Sequence, residues 1–223
     1  MHRRTIALAL VGLLAVTASV ALAPTPAGAA ACPGAVAQLY PDVPHDHPFC
    51  AEIYGASVDG WVSGQADGSF APQAPVTRAQ MAAILWQAAN IDSTPAGPKP
   101  CEAAPFPDVP VSHVFCPYIR DVAAAEVMLG YGDGSFGPAL PVTRQVLAAT
   151  MYRYPELGIP LAGCPPTPFA DVPVTNPFCP EIKTMALFGV VVGGADGLFH
   201  PADVVTRQVL VAVTSRALVE LPV

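Results

Sequence analysis

Charge is scarce in this sequence, and what there is has the wrong sign for a nucleic-acid partner. Only 12% of the 223 residues are Asp, Glu, Lys or Arg, and 17 acids outnumber the 10 Lys and Arg. Phosphate backbones are held by a basic face, so DNA and RNA are excluded as partners. No Cys-x-x-Cys pair occurs among the six cysteines, which argues against a structural zinc site. No nucleophile has a base at a recognisable spacing, so a non-catalytic protein without a cofactor is expected. No apolar run long enough to span a membrane follows Ala23.

What is present begins with a leader. Arg3 and Arg4 precede an apolar run from Ile6 to Ala23 and then the small residues "PTPAGAAA". This is the order of a secretory signal peptide, assigned to 1–31, and it predicts a secreted protein at the cell wall or cell surface with no membrane span after cleavage. Cleavage takes away two Arg and no acid, leaving a charge of −9. Such a balance bears on solubility and partners rather than on fold.

The rest of the chain says one thing three times. Aligned on Asp42, Asp108 and Asp171, each followed by Val-Pro, the register holds without a gap. It runs through Phe49, Phe115 and Phe178, then Cys50, Cys116 and Cys179, then Ile53, Ile119 and Ile182. It continues through Asp67-Gly68, Asp133-Gly134 and Asp196-Gly197 to Thr77-Arg78, Thr143-Arg144 and Thr206-Arg207. The units are drawn at 32–95, 96–160 and 161–223, and each has one early and one late cysteine. Six cysteines allow 15 pairings. The repeat leaves one sensible set, Cys32–Cys50, Cys101–Cys116 and Cys164–Cys179, in the oxidising compartment that secretion supplies. Closing a loop of about 15 residues is worth roughly 3 kcal/mol on the chain-entropy view. Lipidation of Cys32 is the weaker reading, because it would strand Cys50.

After each late cysteine the apolar residues fall on a helical period: Ile53, Ala56 and Trp61; Ile119, Val122 and Val127; Ile182, Met185 and Val190. Gly60 and Gly189 stand where a left-handed residue would end that helix. Glu126 stands there in unit two, at a cost of about 1 kcal/mol if the same backbone is kept. An Asp-Gly turn follows, then Phe70, Phe136 or Phe199 as a core plug. Thr77, Thr143 and Thr206 are candidate N-caps of a second helix, and Thr77 with Gln80 completes a capping box. The second helices carry Met81, Leu85 and Ala88; Leu147, Met151 and Tyr154; Leu210, Thr214 and Ala217. Each unit is thus loop, helix, loop, helix, and the three must pack together to bury their faces.

The pieces "FPDVP", "HPFCAEI", "GYGDGSFGP" and "PVTRAQMAAIL", in this order and three times over, resemble the S-layer homology (SLH) domains of bacterial cell-surface proteins. The resemblance implies an all-α fold, three tandem helix-loop-helix repeats packed as a pseudo-threefold spindle. It also implies grooves between repeats that bind secondary cell-wall polysaccharide, often carrying a pyruvate ketal. The family's Thr-Arg-Ala-Glu signature lies at the groove, with its Arg at Arg78, Arg144 and Arg207. Its Glu is replaced here by Gln80, Val146 and Val209, and the disulfides are an addition to the family pattern.

Two readings of the three arginines stand. A cation in a first helical turn opposes the helix dipole by about 0.3–1 kcal/mol, and with free amides beside it the same placement makes an anion site. Alternatively each Arg pairs with an acid of its own unit, Asp42, Asp108, Asp171 or a turn aspartate. Unit one keeps most of the signature and is the first choice for a working site. Trp61, Tyr131 and Tyr118 either stack on sugar rings or simply pack. Asp67, Asp133 and Asp196 are one acid per loop, too few for calcium, and His45, His47, His113 and His200 do not recur at a ligand spacing. Glu52 and Glu181 share a repeat position taken by Tyr118 in unit two, which reads as a helix surface. The function expected is a non-catalytic module binding anionic cell-wall polysaccharide. The alternative is a structural or protein-interaction module of the envelope, with an envelope protein as partner and no glycan bound.

Overall fold

The computed structural model describes residues 32, 37–89, 97–154, 163–164 and 169–220. The leader 1–31 and the unit junctions at 95/96 and 160/161 lie outside these residues. Among the described residues there are helices and no strands: α1 Cys50–Val58, α2 Arg78–Ala89, α3 Cys116–Ala124, α4 Arg144–Arg153, α5 Cys179–Leu187 and α6 Arg207–Glu220. Each unit contributes two, as the repeated apolar spacing requires.

The first helix of every unit ends the same way. Gly60, Glu126 and Gly189 adopt φ of 80°, 56° and 69°. The amide of the next residue, Trp61, Val127 or Val190, returns to the carbonyl of Ala56, Val122 or Met185. These are Schellman ends, and Glu126 accepts the left-handed conformation that glycine takes elsewhere. The disulfides are Cys32–Cys50, Cys101–Cys116 and Cys164–Cys179, with Cα separations of 5.1, 6.1 and 5.7 Å. Each ties the segment before the Asp-Val-Pro loop to the start of a first helix. Phe70, Phe136 and Phe199 are fully buried, against Tyr40, Phe106 and Phe169 at 5.3, 5.2 and 5.3 Å between ring centroids.

The units interlock rather than stack. α2 packs on α3, α4 on α5 and α6 on α1, so a second helix always covers the first helix of the next unit, and the third unit returns to the first. On the shared axis the amide of Val76 donates to the carbonyl of Val205, that of Val205 to Val142, and that of Val142 to Val76, at 2.8–3.0 Å. This closed ring of three hydrogen bonds is the pseudo-threefold made explicit, and no unit can satisfy it alone.

Two local expectations change in this setting. Gln80 Oε1 accepts from the Thr77 amide at 2.9 Å, and Thr77 Oγ1 accepts from the Gln80 amide at 3.3 Å, so the capping box forms in unit one. Thr143 and Thr206 cap nothing; their hydroxyls are buried without a partner, because Val146 and Val209 cannot return the bond. Glu52 and Glu181 are not solvated surface groups. Glu181 is 8% exposed, and Oε2 of each is buried without a hydrogen bond. α1 packs against α6 and α5 against α4, the second helices of the preceding units in the ring.

Candidate functional site

The site is built outward from the Asp of the Asp-Val-Pro loop. Asp42 accepts from the amides of Phe70 and Ala71 at 2.8 and 2.7 Å. Asp108 does the same for Phe136 and Gly137, and Asp171 for Phe199 and His200. The clasp holds the residue after each Phe in the left-handed region, φ 56° at Ala71, 69° at Gly137 and 56° at His200, and turns the Phe carbonyl outward. Burial alone would raise the Asp108 and Asp171 carboxyls. The two amides on each outweigh it and hold both below the usual carboxylate range. The turn aspartates act locally: Asp67 and Asp133 accept from the amides and hydroxyls of Ser69 and Ser135, and Asp196 from the Leu198 amide.

The arginines use those carbonyls, and they use the neighbour's. Arg78 of unit one donates from Nε to Phe136 O at 2.8 Å and from Nη2 to Leu129 O at 2.7 Å, both in unit two. Arg144 reaches Phe199 O and Val192 O in unit three at 2.6 and 2.7 Å. Arg207 reaches Phe70 O and Ser63 O in unit one, both at 2.9 Å. The guanidinium carbons lie 4.5–4.6 Å from the centroids of Phe136, Phe199 and Phe70. None of the three forms an ion pair among the described residues, so the alternative reading, a pairing with an acid of the same unit, does not occur. Nor are the helix-start amides open to an anion. Those of Arg78 and Ala79 donate to Leu140 O and Pro138 O, and units two and three repeat the pattern. Burial lowers all three guanidinium pKa values from their ordinary position, with Asp108, Asp171 and Asp42 among the groups opposing it; carbonyl dipoles stand where a counter-charge was expected.

Beside these latches lie hollows to which all three units contribute. One, of about 240 Å³, has Arg207 of unit three, Gln65, Gln80 and Gln87 of unit one, and Phe115 of unit two on its walls. Trp61 also lines it, but at 2% exposure Trp61 is a core residue before it is a surface for stacking. Another, of about 360 Å³, has Arg144 of unit two, Gly194, His200 and Arg216 of unit three, and Phe49 of unit one. At the equivalent place in unit two, Tyr131 lies 4.8 Å from the Arg78 guanidinium, which is 5% exposed. Tyr118 packs edge-on to Trp86 at 5.6 Å.

The structure therefore brings Arg207 to the unit-one hollow and Arg144 to the unit-three hollow, while Arg78 is covered. Arg78 belongs to the signature of unit one but serves unit two. His200 and Arg216 were missed. The sequence signal for them is weak: His200 replaces Ala71 and Gly137, whereas Arg216 differs from Gln87 but shares its position with Arg153.

Comparison with known proteins joins the same three segments. The S-layer homology domain model matches residues 39–82, 105–145 and 168–208. An S-layer protein of Bacillus thuringiensis subsp. finitimus is 28% identical over 181 residues, 81% of this chain and 21% of that protein. A cellulosome-anchoring protein of Acetivibrio thermocellus is 29% identical over 161 residues, 71% of this chain and 35% of that protein. An endoglucanase of Bacillus sp. (strain KSM-635) is 33% identical over 115 residues, only 12% of its length. The chain thus spans about a fifth to a third of the S-layer and anchoring relatives. With three matched segments covering more than half of its residues, and with the interlocked helices and ring-wise latches just described, the chain belongs to the S-layer homology domain family.

Proposed function

We propose that this protein is a non-catalytic cell-surface module that binds an anionic cell-wall polysaccharide in the hollows between its units. The observation that carries the reading is the placement of a guanidinium, Arg144 or Arg207, on the wall of a hollow large enough for a sugar ring. Each Arg is held by two carbonyls rather than by a carboxylate. Acids act on each Arg from a distance, but neither Arg forms an ion pair among the described residues, and an acidic substituent of a polysaccharide, such as a pyruvate ketal, supplies a direct partner. Membership of the S-layer homology family and the anchoring relatives favour the wall as the place of binding.

The test is cosedimentation of the disulfide-bonded chain with purified wall polysaccharide, before and after mild acid hydrolysis of ketal-linked carboxylates. Retention on the native polymer and its loss after hydrolysis are expected. Equal retention on both would remove the anionic group from the mechanism. No retention on either would leave a protein-interaction role in its place.

A further inference from the structure

The unit-one and unit-three hollows and the matched place in unit two are related by the repeat, so their differences are those of matched positions. What covers the latch arginine differs between the units. Two rings lie over Arg78, Phe136 at 4.5 Å and Tyr131 at 4.8 Å. Arg144 and Arg207 each have one, Phe199 and Phe70, at 4.6 Å. The second ring of unit two lies over Gly137, where an added Cβ would meet Tyr131 Cε2 at 3.0 Å and Leu140 Cδ1 at 2.6 Å. Unit two thus closes over its arginine with its own side chains. At the position of Tyr131 unit one has Gln65 and unit three has Gly194.

Charge also differs between the units. A Cβ added at Gly194 would meet Asp196 Oδ1 at 2.7 Å and the His200 ring at 3.6 Å, so the Asp196–His200 pair borders this position. His200 is held there by Asp196 Oδ2 at 2.8 Å. Arg216 of α6 lines the same hollow as Arg144, and Asp203 is the one acid on its wall. The unit-one hollow has Gln87 where unit three has Arg216, and its polar lining beyond Arg207 is mainly neutral. The unit-two arginine is covered by Tyr131, the unit-one hollow is amide-lined, and the unit-three hollow carries two guanidinium groups and Asp203, with a histidine at its edge.

We infer that the unit-three hollow is the acid-selective subsite of this protein, with Arg216 and His200 as its specificity determinants and Arg144 as its anchor. The amide-lined unit-one hollow takes a neutral, hydroxyl-rich sugar, and Tyr131 shuts the third subsite. The inference rests on the polysaccharide-binding reading above and assigns the division of labour within it. Two cations around one cavity favour a carboxylate over its neutral ester, because each forms an ion pair, with the option of a bidentate bond, only with the ionised ligand. Amide side chains donate and accept without preferring charge, which suits hydroxyl groups.

The probe is a methyl hexopyranoside bearing a 4,6-O-(1-carboxyethylidene) ketal, with its methyl ester as the neutral control. Both are titrated calorimetrically into the intact disulfide-bonded chain. One site for the acid is expected, with affinity about tenfold lower for the ester. Arg216→Gln, which copies unit one, weakens acid binding by about tenfold, while Arg153→Gln at the matched position of unit two leaves it unchanged. His200→Ala copies the residue that unit one holds at the same φ and also weakens the acid. Gly194→Tyr copies unit two and abolishes acid binding, and Tyr131→Gly adds a second site. Circular dichroism of each variant separates lost binding from lost fold. A stoichiometry of two or three in the unaltered chain, or indifference to Arg216→Gln, overturns the inference. A chain that sediments with wall polysaccharide but ignores the acidic probe sinks this assignment alone. One that ignores both sinks the wall-binding reading with it.

Discussion

Arg78→Ala tests whether the signature arginine is a structural latch. The side chain makes two hydrogen bonds to main-chain carbonyls of the next unit, at 2.8 and 2.7 Å, and lies over two rings at 4.5 and 4.8 Å. Charge-assisted hydrogen bonds contribute about 1.5–3 kcal/mol each. A desolvated cation–π contact adds about 1–2 kcal/mol. Against this stands the cost of holding a cation out of water, visible in its lowered pKa. The net loss expected is about 4 kcal/mol, since truncation also leaves two carbonyls under-satisfied. For a domain of this size that is a fall in Tm of roughly 10 °C. Arg78→Lys keeps the charge but cannot fork to both carbonyls or lie flat on the rings, so it recovers at most about half of the loss. The assay is urea denaturation followed by circular dichroism, with Arg144→Ala and Arg207→Ala alongside. Those two cost less, having one ring each instead of two. A loss below about 1 kcal/mol for Arg78→Ala, the value of an exposed pair, would refute the latch, as would the reverse ranking of the three.

Glu126→Gly relieves a side chain held at φ 56° and is expected to stabilise the protein by about 1 kcal/mol, read as a rise in the denaturation midpoint. Gly130→Ala does the opposite: its Cβ would lie 2.6 Å from Phe106 Cε1 and 2.9 Å from the Ser135 carbonyl, and a loss of about 1–3 kcal/mol is expected from overpacking. Val146→Gln gives Thr143 the partner that Gln80 gives Thr77, and a gain of about 0.5–1 kcal/mol in thermal unfolding checks it. Acid weakens the loop clasps. Asp108 and Asp171 have folded pKa values below the usual carboxylate range. Their contribution is therefore complete above that range and disappears as pH falls through the folded values. Denaturation midpoints measured from neutral pH down to about 2 should fall, and the slope should be shallower in Asp108→Asn.

The sequence by itself determined the unit and its local grammar. The threefold register, the cysteine pairs, the helix ends at Gly60 and Gly189 and the plugs at Phe70, Phe136 and Phe199 are all read from short-range spacing. Contacts of that reach depend on residues a few positions apart, and the repeat states each of them three times. The tertiary structure decided what the conspicuous side chains do. Arg78, Arg144 and Arg207 bond carbonyls 48–144 residues away in the chain, in the next unit rather than their own. Glu52 and Glu181 each bury a carboxylate oxygen. Thr143 and Thr206 look like caps and cap nothing. The reason is the closed ring: once α6 returns to α1, every unit is completed by its neighbours, and identical signatures meet different walls, Gln65, Tyr131 or Gly194, whose differences a single unit does not display.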